Sequence, residues 1–184
     1  VQFIKKWGVD VMTLAEVNVN WKIVKKKNSL ETTMNQEFEH ARIVAANNMI
    51  TGTKYQHQYG GVANIITGEL SLHVNRSYQD PRFLGRWCST LMRGKHGVQF
   101  RVITVYCPHV NKSHGNKNVF AQQQSALLKL KTNKGVIKTF WLDFWNEVDG
   151  WIEKGEQLLI GGDWNHNVTN AKFRKDFEAR NLFR

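Results

Sequence analysis

An α/β domain is the fold that this chain of 184 residues predicts, and three observations carry the expectation. Short apolar runs of strand type alternate with stretches of helical periodicity. Two of those runs end on a carboxylate: residues 9–15 lead into Glu16, and Leu158-Leu159-Ile160 leads through two glycines into Asp163. Exits of buried strands are where α/β proteins place their active sites. Residues 1–184 read as one domain, because no Pro/Ser-rich linker interrupts them and Pro81 and Pro108 are the only prolines. Hydrophobic residues at 41% and seven tryptophans exclude a disordered chain.

Taken in order, residues 9–15 predict a buried strand ending at Glu16. A helix is predicted over 29–46, with Ser29 at its start and Phe38, Ala41, Ile43, Val44 and Ala45 as its apolar positions. Gly60-Gly61 then introduces 62–66, and 70–74 follows a Thr67-Gly68 turn, which predicts a hairpin. A second hairpin joins 86–92 to 98–106 through the basic tip Arg93-Gly94-Lys95-His96-Gly97. Two helices follow at 119–130 and 139–154, the second with Trp141, Phe144, Trp145, Val148 and Ile152 on one stripe, expected to be core. A strand at 157–160 runs into the Asp163 motif, and 171–180 closes the chain as a helix.

Charge narrows the partner. Twenty-six Lys and Arg against 15 Asp and Glu give +11, an excess that concentrates polyanions and puts nucleic acid first. Cys88 and Cys107 lack any zinc-type spacing, which fits a reduced, intracellular setting, nuclear or cytoplasmic. No apolar run approaches a membrane span and no secretory leader follows Val1, so no membrane partner is expected. Within Gly162-Asp163-Trp164-Asn165, Asp163 and Asn165 stand two residues apart and project to one side of an extended chain. One can bind a metal or order water, and the other can donate to a phosphate oxygen. An Asx turn closing the strand accounts for the same string without chemistry.

Four ordered motifs, Leu14-Ala15-Glu16-Val17-Asn18, Tyr59-Gly60-Gly61-Val62-Ala63, Val105-Tyr106-Cys107-Pro108 and Gly161-Gly162-Asp163-Trp164-Asn165, resemble those of the endonuclease/exonuclease/phosphatase superfamily. Residues 80–87, the Gly94-Lys95-x-Gly97 tip and Gly155-Glu156-Gln157 narrow the resemblance to the endonuclease domains of non-LTR retroelements. The resemblance implies a four-layer sandwich, two mixed β-sheets face to face with helices outside, and Mg²⁺-dependent hydrolysis of a DNA phosphodiester, with Mn²⁺ as a substitute. By the same resemblance Glu16 holds the metal, Asp163 orients or deprotonates the attacking water, and Asn165 and Tyr106 contact the scissile phosphate. Asn18 lines the same cleft, and a fused or associated reverse transcriptase is the implied partner. The local positive charge of Arg82, Arg86, Arg93 and Lys95 points to these residues tracking the DNA backbone beside the cleft.

Some pieces of the superfamily pattern have no counterpart here. An Asn at the end of the first strand would precede Val1, and a Ser-Asp-His-type motif would follow Arg184, so the domain is expected to be incomplete at both ends. His109, His114 and His166 stand at no matching place and read as loop or surface residues. An unpaired sheet edge beside the cleft follows from that expectation. Two other readings are a catalytically impaired nucleic-acid-binding remnant and a phosphatase or phospholipid hydrolase of the same superfamily; the +11 charge disfavours the latter. If a phosphate-contacting donor is missing, nicking of supercoiled plasmid by this chain with Mg²⁺ should run at least about 10²-fold below an intact relative. A rate equal to the relative's would show that the donor is dispensable.

Overall fold

The computed structural model describes residues 1–50, 54–111 and 118–182. After a short helix, α1 (Gln2–Trp7), that the periodicity did not predict, strand β1 (Val11–Ala15) runs toward Glu16. Helix α2 (Leu30–Glu37) begins where expected, because the Ser29 hydroxyl accepts a hydrogen bond from the Thr32 N–H at 3.1 Å. It ends early. Phe38 is extended at φ −126° and ψ 136°, and Ala41–Ala46 forms strand β2 instead of continuing the helix predicted over 29–46. The β-branched pair Ile43-Val44 packs readily on a pleated surface, and β3 (Val62–Thr67) offers β2 a ladder along its whole length.

The first predicted hairpin is also corrected. Strand β3 lies between β1 and β2 with all six residues buried, so neither of its edges is left for 70–74. Gly68–His73 winds as a 3₁₀ turn, carrying the chain across to a second sheet, where β4 (Val74–Gln79) pairs with β5 (Trp87–Arg93). The second hairpin forms as predicted, β5 turning through Lys95–Gly97 into β6 (Gln99–Tyr106). Helices α3 (Val119–Lys129) and α4 (Val136–Glu153) lie between β6 and β7 (Gln157–Asp163), and this long crossover is what lets the two strands pair in parallel. Helix α5 (Ala171–Glu178) follows.

Strand order is β1-β3-β2 in one sheet and β4-β5-β6-β7 in the other. The first sheet is wholly antiparallel rather than mixed as expected, and only the β6–β7 pairing makes the second mixed. Side chains alternate along β3. Ile65 turns outward to Met34 of α2, while Ile66 faces Met92 and Val102 of the other sheet. On the far side Phe140, Phe144, Val148 and Trp151 of α4 pack on Trp87, Ile103, Val105 and Cys107, completing an α–β–β–α sandwich. Strand β7 occupies one edge of its sheet, with Leu159 exposed.

Two arginines expected on nucleic acid are structural. Arg86 is 1% exposed and grips Asp80, itself fully buried, through Nε at 2.6 Å and Nη2 at 2.7 Å, with Asp143 of α4 at 2.9 Å. Arg82 closes the network with a two-pronged contact to Asp143 at 2.5 and 3.1 Å. Their charge is spent on carboxylates that tie the 80–86 turn to α4 rather than on a backbone outside. Removing Arg86 alone strands the Asp80 carboxylate in the interior, so Arg86→Met should cost about 3–5 kcal/mol in urea unfolding. A loss under about 1 kcal/mol would show that the pair contributes little to the fold.

Candidate active site

Glu16, Tyr106, Asp163 and Asn165 gather at one end of both sheets, and backbone pairing explains how. Ala15 lies opposite Val62, so β1 delivers Glu16 where β3 begins. Tyr106 lies opposite Asp163 in the parallel β6–β7 ladder, and the Cys107 N–H donates to the Asp163 carbonyl at 2.8 Å. Gly162 sits at φ 142°, and a Cβ there would fall 1.9 Å from the Val105 carbonyl oxygen, so only glycine permits this approach of β7 to β6. The end of β1 is equally constrained. Glu16 and Asn18 both adopt left-handed backbone, φ 53° and 55°, which turns the chain sharply on either side of Val17.

That turn is pinned from below. The Asn18 N–H donates to the Gly60 carbonyl and the Gly60 N–H returns a bond to the Asn18 side-chain oxygen, both at 2.8 Å. Asn18 is therefore a clamp between the two loops, its amide oxygen already engaged. Gly60, at φ 84°, lies against Val119 at the start of α3 and against the Tyr106 ring, a contact that a Cβ would tighten.

Tyr106 joins the sheets. Its phenol donates to Glu16 Oε1 at 2.5 Å, although Glu16 follows the last residue of β1 in one sheet and Tyr106 ends β6 in the other. Burial, then the bond to Glu16 and the negative charges of Glu16 and Asp163, raise its pKa well above the ordinary phenol value, against a smaller opposing pull from Asn165. The phenol is thus a neutral donor across the physiological range. Across the cleft, the Asn165 N–H donates to Asp163 Oδ1 at 2.9 Å and the Asn165 amide to the Cys107 carbonyl at 2.8 Å. This is an Asx turn, and it also aims both side chains. Asn165 takes φ 47° to do so.

Neighbouring groups are less apt for chemistry. Burial and Asp163 push the Cys107 thiol up to about 12, so it stays protonated. His166 is exposed and its Nδ1 bonds the Trp164 carbonyl at 2.7 Å; His109 is exposed, and His114 lies outside the described residues. Arg93 and Lys95 are exposed, but they sit at the start of β6 whereas Tyr106 is at its end, about 23 Å of extended chain away. The expectation that this hairpin flanks the cleft is corrected by that antiparallel register. A second exposed basic run, Lys22, Lys25, Lys26 and Lys27, stands in the loop after Asn18, and sequence reading passed over it although no acid interrupts 17–30.

The described residues superpose on two catalytic domains of known structure. One is the human Nocturnin catalytic domain, solved with a bound sulfate anion, at TM-score 0.54 and 12% identity over 98% of this chain and 60% of that one. The other is the Xenopus laevis APE2 catalytic domain, at TM-score 0.56 and 14% identity over 95% of this chain and 58% of that one. The likeness shows a shared fold, two sheets face to face with helices outside. The chain spans about three fifths of the length of each of these domains. No family model and no curated protein matches the sequence.

If the phenol works as a donor at the cleft, Tyr106→Phe should lower turnover about 10²-fold while unfolding free energy moves by no more than about 1.5 kcal/mol. Equal losses in both would mark Tyr106 as a packing residue only.

Proposed function

We propose that this chain is a metal-dependent phosphodiesterase of the retroelement endonuclease type, hydrolysing a DNA phosphodiester by in-line attack of water. One observation carries the reading: a strand-end carboxylate on one sheet, Glu16, hydrogen-bonds Tyr106 on the other, and Tyr106 stands in register with Asp163. That arrangement leaves two carboxylates, a neutral phenol and a carboxamide around one cleft at the mouth of the sandwich. The residues fit the ion that the fold family implies. Every donor is an oxygen or an amide, and no cluster of three or more His, Cys, Asp or Glu side chains among the described residues is placed to cage a metal. Mg²⁺ accepts a single carboxylate with water and phosphate oxygens completing its shell, and Mn²⁺ substitutes. Glu16 would hold it, and the bound ion would neutralise charge developing on the phosphate.

The remaining work falls to the chain's own groups. Asp163, aimed by the Asx turn and with lone pairs to spare, accepts a hydrogen bond from the attacking water and then its proton. Tyr106 and Asn165 donate to the non-bridging oxygens as charge builds, the phenol by turning its one proton from Glu16 and the carboxamide by turning the hydrogen it gives Asp163 Oδ2, while its other hydrogen keeps the bond to the Cys107 carbonyl. The +11 charge favours a polyanionic substrate over a neutral one. In its natural setting such an endonuclease would work with a reverse transcriptase, fused or associated.

Supercoiled plasmid with purified protein and Mg²⁺ is the test. Nicking should stop on chelation, and Glu16→Gln and Asp163→Asn should each lower the rate by about 10²–10³ without weakening DNA binding measured in parallel. Nicking that persists in both variants would overturn the assignment.

A further inference from the structure

Immediately beyond Asn18 the chain walls a second cavity of about 500 Å³, within the range of about 300–1,000 Å³ typical of small-ligand sites. Trp21 and Val24 supply its apolar wall, and Asn18, Asn28, Gln56 and His57 its polar one. The walls are tied together. Val19 bridges His57, and the Asn20 N–H donates to the Gln56 carbonyl at 2.7 Å, while His57 is braced edge-on by Tyr59 with ring centroids 4.6 Å apart. The Trp21 indole N–H is shielded from solvent and has no acceptor among the described residues. Interleaved in sequence with the wall residues Trp21, Val24 and Asn28 are Lys22, Lys25, Lys26 and Lys27, exposed and without an ion pair among the described residues.

An aromatic face, amide groups able to both give and accept hydrogen bonds, and interleaved lysines form the combination that holds a base by stacking and its backbone by charge. We infer that this cavity takes one unstacked base of a single strand, with the 22–27 loop on the flanking phosphates and the scissile phosphate two residues away at Glu16. The location of the scissile phosphate rests on the phosphodiesterase reading; the base pocket itself does not. Asn18 lies two residues from Glu16, is clamped to Gly60 and also lines the pocket.

Binding in the presence of chelator separates the two readings, because it requires no cleavage. Fluorescence anisotropy on the full chain would compare a labelled 12-nucleotide single strand, the matching duplex, and the same strand with abasic sites, which keeps every phosphate. The intact strand should bind tighter than the duplex and about tenfold tighter than the abasic strand. Trp21→Leu should weaken the intact strand to the abasic level and leave abasic binding where it was, while Trp21→Phe should restore most of the difference. Replacing the four lysines with glutamine should lower the affinity of intact and abasic strands alike, and flatten the salt dependence by about 0.7 per lost phosphate contact. Equal affinity of the unmodified protein for intact and abasic strands overturns the inference without recourse to any variant. Loss of base-dependent binding with nicking intact sinks the pocket alone, and base-dependent binding without nicking sinks the catalytic reading alone.

Discussion

The alignment of the two sheets depends on one buried side chain, Asn64. It sits in the middle of β3, fully shielded, in a run that is otherwise apolar but for Thr67. Across the interface its amide donates to the Val102 carbonyl at 3.1 Å and its oxygen meets the Thr104 hydroxyl, with the Thr90 hydroxyl also within reach at 3.5 Å. A buried carboxamide without partners is costly, so sliding one sheet over the other by a residue would forfeit these bonds together. Apolar packing alone tolerates such a slip far better. Asn64 and Thr104 each lie two residues from the mouth of the sandwich, at Val62 and Tyr106, and this is why Glu16 and Tyr106 come within hydrogen-bonding distance.

Positive charge in this protein divides into two populations. Arg86 and Arg101 are buried, each held in a two-pronged grip by an acid and laid over an aromatic ring; Arg101 bonds Glu156 at 2.5 and 3.0 Å between the rings of Tyr78 and Trp151. Guanidinium suits that role because its fixed fork matches a carboxylate and its flat face stacks. The described lysines, by contrast, stay in water, four of them in the loop after Asn18. Net charge predicts a polyanionic partner, but only placement tells which cations can meet it.

Backbone strain is present where the chemistry is proposed, as it also is at Phe83, His96, Lys131 and Asn181. Glu16, Asn18 and Asn165 all carry left-handed backbone, each costing of order 1 kcal/mol or more for a residue with a side chain. Each is held by bonds from outside its own turn: Asn18 by Gly60, Asn165 by the Cys107 carbonyl, and Glu16 by the Tyr106 phenol. Side chains fixed in this way lose little entropy on meeting a substrate, which favours a preorganised site over one assembled on binding.

By itself the sequence determined the kinds of element and the ends at which acids stand: apolar runs leading to Glu16 and Asp163, the hairpin through residue 95, the cap at Ser29 and, of the α4 stripe, Phe144 and Val148 as core, whereas Trp141 and Trp145 are partly buried and Ile152 is exposed. These are local, written in periods of two or 3.6 and in turn chemistry. Only the tertiary structure decided that 41–46 is strand, since a neighbouring ladder outweighed helical periodicity, and that 70–74 serves a different sheet from 62–66, since both edges of β3 were taken. It also decided which arginines are interior, which end of a hairpin faces the cleft, and that Trp21 and His57 share a cavity. Such facts depend on which surfaces meet, and contacts between residues far apart in the chain leave no period in it to read.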